Sequence, residues 1–202
     1  TLLNARPDLA RRIKAVIHMD MVGGGPQTQA VFHVTRGPAS LPSPIHDLAW
    51  SMAQWVNDQS YRYAAAGTSA YPMVASTGGK SPLRAEASPY EMGSDHDVYQ
   101  DASFGIPAIY LNDWPDRYIH TNLDTPDNID ATKLQRVAFI GAASGYVLAR
   151  DGVPPSAATV TAPGPTGEGD GLLVFRRVPG LRGPLAVFGY DYFEDHARKA
   201  GL

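Results

Sequence analysis

Short apolar runs alternate with longer stretches of helical periodicity along the first three quarters of the chain. Strand-forming residues dominate three runs, and apolar residues at helical spacing mark two further segments. The runs are 14–20, 30–35 and 107–112, and the helical segments are 45–59 and 130–150. Strands that alternate with helices favour an α/β fold with parallel strands. Residues 60–93 show no sustained period and are predicted to form a long loop.

A change of composition after Gly152 predicts a division of the chain. Residues 1–152 are predicted to form the main domain, residues 153–171 a Pro/Gly-rich linker, and residues 172–202 a β-rich tail with two β-like runs. A tail of this length is too short for an independent core. We therefore expect it to dock on another part of the protein or to begin an accessory region.

Charge balance and cysteine content exclude several classes of function. The chain has 17 Lys and Arg against 20 Asp and Glu, which argues against a nucleic-acid-binding surface. No segment approaches the roughly 20 apolar residues that a membrane span requires. Because the chain contains no cysteine, any metal ion must be bound by His, Asp or Glu.

Asp20 ends the first apolar run and precedes Gly23, Gly24 and Gly25. Sites in open α/β sheets collect beyond the carboxyl ends of strands, so Asp20 is a candidate ligand with open space beside it for a metal and a substrate. The alternative is that Asp20 caps a turn. His18 shares a strand face with Asp20; we interpret it as structural, with the alternative that both side chains reach one site.

Two further clusters follow along the chain. Ser94, Asp95 and His96 lie in a Gly/Ser turn, which suits a network that orients metal ligands or, alternatively, a capped helix start. Ser94 lacks the G-x-S-x-G elbow of a serine nucleophile, because His96 stands where the second glycine is required. His120 lies in a polar loop after a strand and is a candidate ligand or acid–base group.

In this order, the segments MDMVGG, GSDHDVYQDASFGIPAIYL and YIHTNLDTPDNID resemble the C-terminal half of the di-zinc aminopeptidase family of clan MH. That family includes leucyl-type aminopeptidases, glutamate carboxypeptidase and glutaminyl cyclases. The resemblance covers residues 14–150. It implies a three-layer α/β fold of the phosphorylase/hydrolase type, in which a mixed central sheet has helices on both faces and is incomplete in this chain.

The resemblance implies a site with two zinc ions, which Asp20 and His120 bind one each. The Ser94-Asp95-His96 motif would support this site. Tyr118 would donate to the oxyanion, although it lies two residues before His120 instead of directly before it. The implied activity is the hydrolysis of N-terminal residues from peptides, in a secreted enzyme of the extracellular space or periplasm.

The family's upstream H-x-D pair and adjacent Glu-Glu pair have no counterpart in this sequence. One protein ligand for each zinc is far below the three that a catalytic zinc usually has. We therefore expect residues 1–152 to be the C-terminal portion of a peptidase catalytic domain, with the N-terminal part of the same protein as its partner. No two of the four glutamates are adjacent: Glu86, Glu91, Glu168 and Glu194.

Two alternatives to a metallopeptidase remain open on sequence alone. The chain is then either a non-catalytic scaffold or binding half that folds without metal, or a serine hydrolase that uses Ser94 and a nearby histidine. Stoichiometric zinc binding would distinguish the peptidase from the scaffold. Labelling by a fluorophosphonate probe would distinguish the serine hydrolase from both.

Overall fold

The computed structural model of the chain describes residues 2–41, 43, 45–149, 161–163, 170–176 and 185–188. The chain forms two compact units, Thr1–Gly145 and Tyr146–Leu202. The first unit contains a four-stranded sheet with helices, and the second contains a three-stranded sheet. The predicted domain boundaries at 152 and 171 remain predictions, because most of the residues around them lie outside the described ranges.

The sheet of the first unit is mixed, as the family resemblance implies, and not all-parallel, as the pattern of alternating elements favours. Its strands are β1 (Val16–Asp20), β2 (Val31–Thr35), β3 (Ala85–Ser88) and β4 (Ala108–Trp114), in the spatial order β1-β4-β2-β3. Strand β4 runs parallel to β1 and antiparallel to β2, and β3 runs parallel to β2. Among the described residues β1 pairs only with β4, so its other edge is open.

Five helices accompany this sheet. They are α1 (Leu2–Ala5), α2 (Pro7–Ala10), α3 (Ile45–Ala66), α4 (His96–Gln100) and α5 (Ala131–Ala149), with short 3-10 turns at Pro26–Thr28 and Pro126–Asn128. The prediction of one long loop over 60–93 is wrong at its start, where α3 continues, and at β3, whereas residues 67–84 and 89–93 have neither helix nor strand. Helix α3 continues through three alanines, the best helix formers, and β3 has the sequence AEAS, which lacks β-branched or aromatic residues.

The strand register separates the sheet into an apolar and a polar face, because residues paired across strands point to the same side. Phe32, Val34, Ile109 and Leu111 are fully buried on the apolar face. Helices α3 and α5 cover this face side by side. The rings of Trp55 (α3) and Phe139 (α5) have centroids 5.8 Å apart, and Gly141 of α5 lies against Met19 of β1.

The opposite face of the sheet carries polar residues from all four strands, and its apolar residues lie at strand ends. We call it the polar face after its polar residues, which are His18, Asp20, His33, Thr35, Glu86, Ser88, Tyr110 and Asn112. Helix α4 lies on this face, where the ring of His96 stacks on that of Tyr110 with centroids 4.6 Å apart. Helices therefore lie on both faces of a mixed sheet, and the predicted three-layer α/β class is confirmed for this unit.

The second unit is described only by its strands. Strands β5 (Thr161–Pro163), β6 (Asp170–Arg176) and β7 (Leu185–Phe188) form an antiparallel sheet in that order. Strands β6 and β7 coincide with the two predicted β-like runs, whereas β5 lies within the segment predicted as a linker. Across the described part of the chain, every helix is too short or too polar to span a bilayer.

Candidate functional site

Three side chains form a hydrogen-bonded triplet on the polar face at the carboxyl end of β1: His18, Asp20 and Ser94. Ser94, just before α4, donates from Oγ to Oδ2 of Asp20 over 2.8 Å. Nε2 of His18 lies 2.8 Å from the same Oγ. His18 and Asp20 therefore share one strand face and reach one site, which was the alternative interpretation of this pair.

The direction of these two hydrogen bonds follows from the donor inventory. An ionised carboxylate only accepts, so the single hydroxyl proton of Ser94 goes to Asp20. His18 must then donate from Nε2–H to Oγ. Burial, and next the neighbouring His96, lower the pKa of His18, so the ring is uncharged at neutral pH and its one N–H lies on Nε2. This arrangement orients Asp20, and the His18 imidazole does not accept the proton of the Ser94 hydroxyl.

Tyr110 of β4 completes the wall of this site. Its ring lies 5.4 Å from that of His18 and stacks on that of His96. Burial raises the pKa of Tyr110 to about 12, the charge of Asp20 adds to the rise, and the Ser94 hydroxyl opposes it. The phenol therefore stays protonated, and can donate a hydrogen bond, throughout the neutral and mildly alkaline range.

His96 is a buried support and not an exposed ligand. Its side chain is fully buried, and Nε2 donates to the carbonyl of Glu91 over 2.9 Å. Nδ1 is buried without a hydrogen-bond partner in the described part of the chain. Asp95 is exposed at the N-cap of α4 and makes no capping hydrogen bond, so its link to the site is electrostatic, through its charge acting on His18.

The glycines after Asp20 are required for close packing, which differs from the expected open space. A Cβ at Gly23 would lie 2.7 Å from the side chain of Leu134, in the first turns of α5. A Cβ at Gly24 would lie 2.7 Å from Oγ1 of Thr28. The turn between β1 and β2 is therefore filled by the start of α5 and by its own residues.

His120 lies in an exposed turn that its own backbone organises. The residue has a positive φ of 60°, which is uncommon for a side chain other than glycine. Oδ1 of Asp116 accepts from the backbone N–H groups of Tyr118 and Ile119, and Oγ1 of Thr121 donates to the carbonyl of Tyr118 over 2.6 Å. Such outliers persist only where surrounding contacts hold them, and they cluster at functional sites.

Tyr118 lies apart from the triplet. Its ring packs under the guanidinium of Arg117, whose Cζ lies 5.6 Å from the ring centroid. In the described ranges no hydrogen bond, ion pair or ring contact joins Tyr118 or His120 to Asp20. The structure thus brings together Asp20, Ser94 and His96 of the predicted residues, and the roles of Tyr118 and His120 stay predictions.

The donors present fit zinc in chemical type. Oδ1 of Asp20 makes no hydrogen bond to a described residue, while Oδ2 is held by Ser94. His120 exposes an imidazole. Their number is smaller than a complete site needs, since within the described ranges no group of three or more His, Asp or Glu side chains could hold a metal ion.

His18 and Tyr110 are the site residues that the sequence analysis did not assign. The signal for His18 was its two-residue spacing from Asp20, which places both on one strand face. Tyr110 carries no such signal. It faces the site because β4 pairs with β1 in a register that sets Tyr110 beside His18, and this register cannot be read from one sequence.

Comparison with known proteins agrees with this geometry at the level of family. No curated protein and no solved structure matches the chain. A family model does match: peptidase family M28 aligns with residues 2–144, which include the whole four-stranded sheet and every residue of the site. This range is well over half of the chain. The chain therefore belongs to peptidase family M28.

Proposed function

We propose that this chain supplies part of a two-zinc site in an aminopeptidase that removes N-terminal residues from peptides. Asp20 would bind one ion and His120 the other. Zinc, when bound, would polarise the scissile carbonyl and lower the pKa of a water molecule. Membership of a peptidase family supports hydrolysis of peptides, and the preference for a free N-terminus is our extension of it.

The observation that carries the proposal is the state of the Asp20 carboxylate. Oδ2 is held by Ser94 over 2.8 Å, and Oδ1 has no protein hydrogen bond within the described residues. Ligating carboxylates are commonly fixed in this way by a neighbouring donor. The uncharged His18 ring adds no positive charge beside the carboxylate, so it does not compete with a cation there.

The remaining ligands and the general base must come from outside the described residues, and we assign them to the N-terminal part of the same protein. The open edge of β1 supports this assignment. A strand added there in parallel would end beside Asp20, because parallel strands bring their carboxyl ends to one edge of the sheet. An extracellular or periplasmic location belongs to the same proposal and depends on the family resemblance; cell fractionation would test it.

Hydrolysis by the full-length protein tests the proposal. We expect cleavage of aminoacyl anilides, loss of cleavage with a chelator, and recovery with zinc. Asp20→Ala and His120→Ala should each reduce kcat/KM by more than about 100-fold, because outer-shell changes alone cost 10–100-fold. N-acetylated substrates should resist cleavage if a free N-terminus is recognised.

Two control substitutions show whether a loss of activity is specific to the candidate ligands. Asn122→Ala changes an exposed residue of the His120 turn, and Asp101→Asn changes an exposed carboxylate outside the site. Both should retain activity. Unchanged activity in Asp20→Ala or in His120→Ala would show that the residue is not a ligand.

A non-catalytic scaffold is the second candidate, and the small donor number favours it. Within the described ranges no three His, Asp or Glu side chains converge on one point. A full-length protein that stays folded but takes up no zinc from stoichiometric supply, and hydrolyses no anilide, would establish this candidate in place of the peptidase.

A further inference from the structure

Asp113 is a fully buried carboxylate that the proposed chemistry does not use. It lies near the end of β4, on the apolar face of the sheet. Nζ of Lys133, in the first turn of α5, lies 2.6 Å from Oδ1, with 9% and 0% of the Lys133 and Asp113 side chains exposed. Burial raises the pKa of Asp113, and the Lys133 ammonium and the Gly24 N–H oppose that rise.

Both ends of the turn that follows Asp20 are bound to this one residue. The backbone N–H of Asp113 donates to the carbonyl of Met21 over 2.9 Å. Oδ2 of Asp113 accepts from the backbone N–H of Gly24 over 2.8 Å. Met21 has a positive φ of 57°, a conformation that needs such external contacts to persist.

The same residue also stands at the root of the loop that carries His120. That loop begins after Trp114, which follows Asp113 and ends β4. It is joined to the β1–β2 connection by the N–H of Arg117, which donates to the carbonyl of Thr28 over 3.1 Å. Lys133 reaches the same connection at the carbonyl of Ala30, over 3.4 Å. The turn after Asp20 and the His120 loop thus diverge from a common anchor.

We infer that Asp113, held by Lys133, is a positioning residue: it fixes the Met21–Gly25 turn and thereby the Asp20 carboxylate relative to the His120 loop. The inference rests on the proposed function, since it assigns Asp20 to a metal. It separates two roles of Asp113. The charge pairs with Lys133, and the acceptor oxygen holds Gly24; only the second role orients Asp20.

Two matched double variants of the full-length protein distinguish these roles. Asp113→Asn with Lys133→Met removes both charges and keeps an oxygen acceptor for the Gly24 N–H. Asp113→Leu with Lys133→Met removes the charges and the acceptor. Replacement of a buried ion pair by uncharged side chains of similar volume is often tolerated, so we expect both proteins to fold.

The two readouts are zinc affinity and hydrogen exchange of the Gly24 amide in the metal-free protein. We expect D113L/K133M to bind zinc about 10–100-fold more weakly than D113N/K133M, the range found for residues that orient metal ligands. Exchange of the Gly24 amide should be faster than in the unmodified protein in D113L/K133M only. Amides in the centre of β4, such as that of Leu111, serve as the control and should exchange equally in both.

Equal zinc affinity and equal Gly24 exchange in two folded double variants would overturn the inference. If D113L/K133M does not fold, Asp113→Ala with Lys133→Met provides the test: Gly24 should exchange faster and zinc should bind more weakly than in Asp113→Asn with Lys133→Met, and equality in both readouts would overturn the inference. Failure of the proposed function has a different signature. The unmodified full-length protein then binds no zinc, whereas Gly24 exchange still reports whether Asp113 holds the turn.

Discussion

The two candidate zinc ligands of this chain lie in contrasting surroundings. Asp20 stands at the end of a strand, with Ser94 on one carboxylate oxygen and a buried anchor below the turn that follows it. His120 stands in an exposed turn whose hydrogen bonds come from its own backbone and short side chains. The Asp20 half of the proposed site is therefore positioned mainly by tertiary structure, and the His120 half mainly by local structure.

The contrast teaches where this chain alone can hold a ligand in place. A strand end is fixed by the sheet and by every helix that packs on it, so the position of Asp20 depends on the stability of the whole unit. The loop after β4 has few buried apolar side chains, and such segments open locally at low free-energy cost. Contacts from another part of the protein would add most to the order of the His120 loop.

The largest expected difference is in how much a leucine near each candidate ligand contributes to the free energy of unfolding. Leu111 is fully buried on β4 beside Met19 of β1, whereas Leu123, close to His120, is 59% exposed. Leu111→Ala should lower the free energy of unfolding by about 2–5 kcal/mol, because it leaves a cavity. Leu123→Ala should change it by less than about 0.5 kcal/mol. Urea unfolding measures both changes in free energy, and changes of similar size would contradict the contrast between the two regions.

The next effect concerns the direct support of Asp20. Ser94→Ala removes the donor to Oδ2, and we expect zinc affinity of the full-length protein to fall by about 10–100-fold. Ser103→Ala, an exposed serine beyond α4, is the matched control and should leave the affinity unchanged. Wild-type affinity in Ser94→Ala would mean that this hydroxyl does not orient a ligand.

The smallest effect concerns the turn around His120. Thr121→Val removes the hydroxyl that donates to the carbonyl of Tyr118 and accepts from the N–H of Leu123. Two exposed hydrogen bonds at about 0.5 kcal/mol each contribute about 1 kcal/mol together, so zinc affinity should fall by no more than about fivefold. A larger loss than in Ser94→Ala would reverse the comparison and show that the turn is the better-organised half.

A serine hydrolase would require the opposite hydrogen-bond direction in this triplet, with His18 accepting the hydroxyl proton of Ser94. The hydroxyl proton of Ser94 is directed to Asp20, and His18 donates to Oγ instead of accepting from it. We therefore expect no labelling of Ser94 by a fluorophosphonate probe. Labelling that disappears in Ser94→Ala would contradict the hydrogen-bond direction and revive this alternative.

Much of the fold could be predicted from local signals. The runs at β1, β2 and β4 carry strand formers between breakers. Asp130 directly precedes α5, and its Oδ1 accepts from the N–H of Thr132 as an N-cap does. The short β3 was missed because Ala85–Ser88 has no strand-forming side chain. That strand exists because its backbone pairs with β2, a tertiary effect that overrides propensity.

The site was predictable where one residue carries the signal and not where two strands must align. Asp20 and the S-D-H motif were identified from position and motif. Tyr110, and the anchoring role of Asp113, depend on the register of β4 against β1 and β2, which is set by long-range pairing. The glycines after Asp20 are a signal that leads to a wrong prediction. A glycine-rich segment suggests open space, whereas the structure packs Gly23 closely against Leu134.

The assignment of Asp20 and His120 as zinc ligands is tested most directly by zinc content at saturation. It is measured for the full-length protein and for its Asp20→Ala and His120→Ala variants. We expect about two zinc ions for each unmodified chain. Each variant should bind at least one ion more weakly, because the two residues bind different ions. Full zinc content with unchanged affinity in both folded variants would contradict the assignment of Asp20 and His120 as ligands.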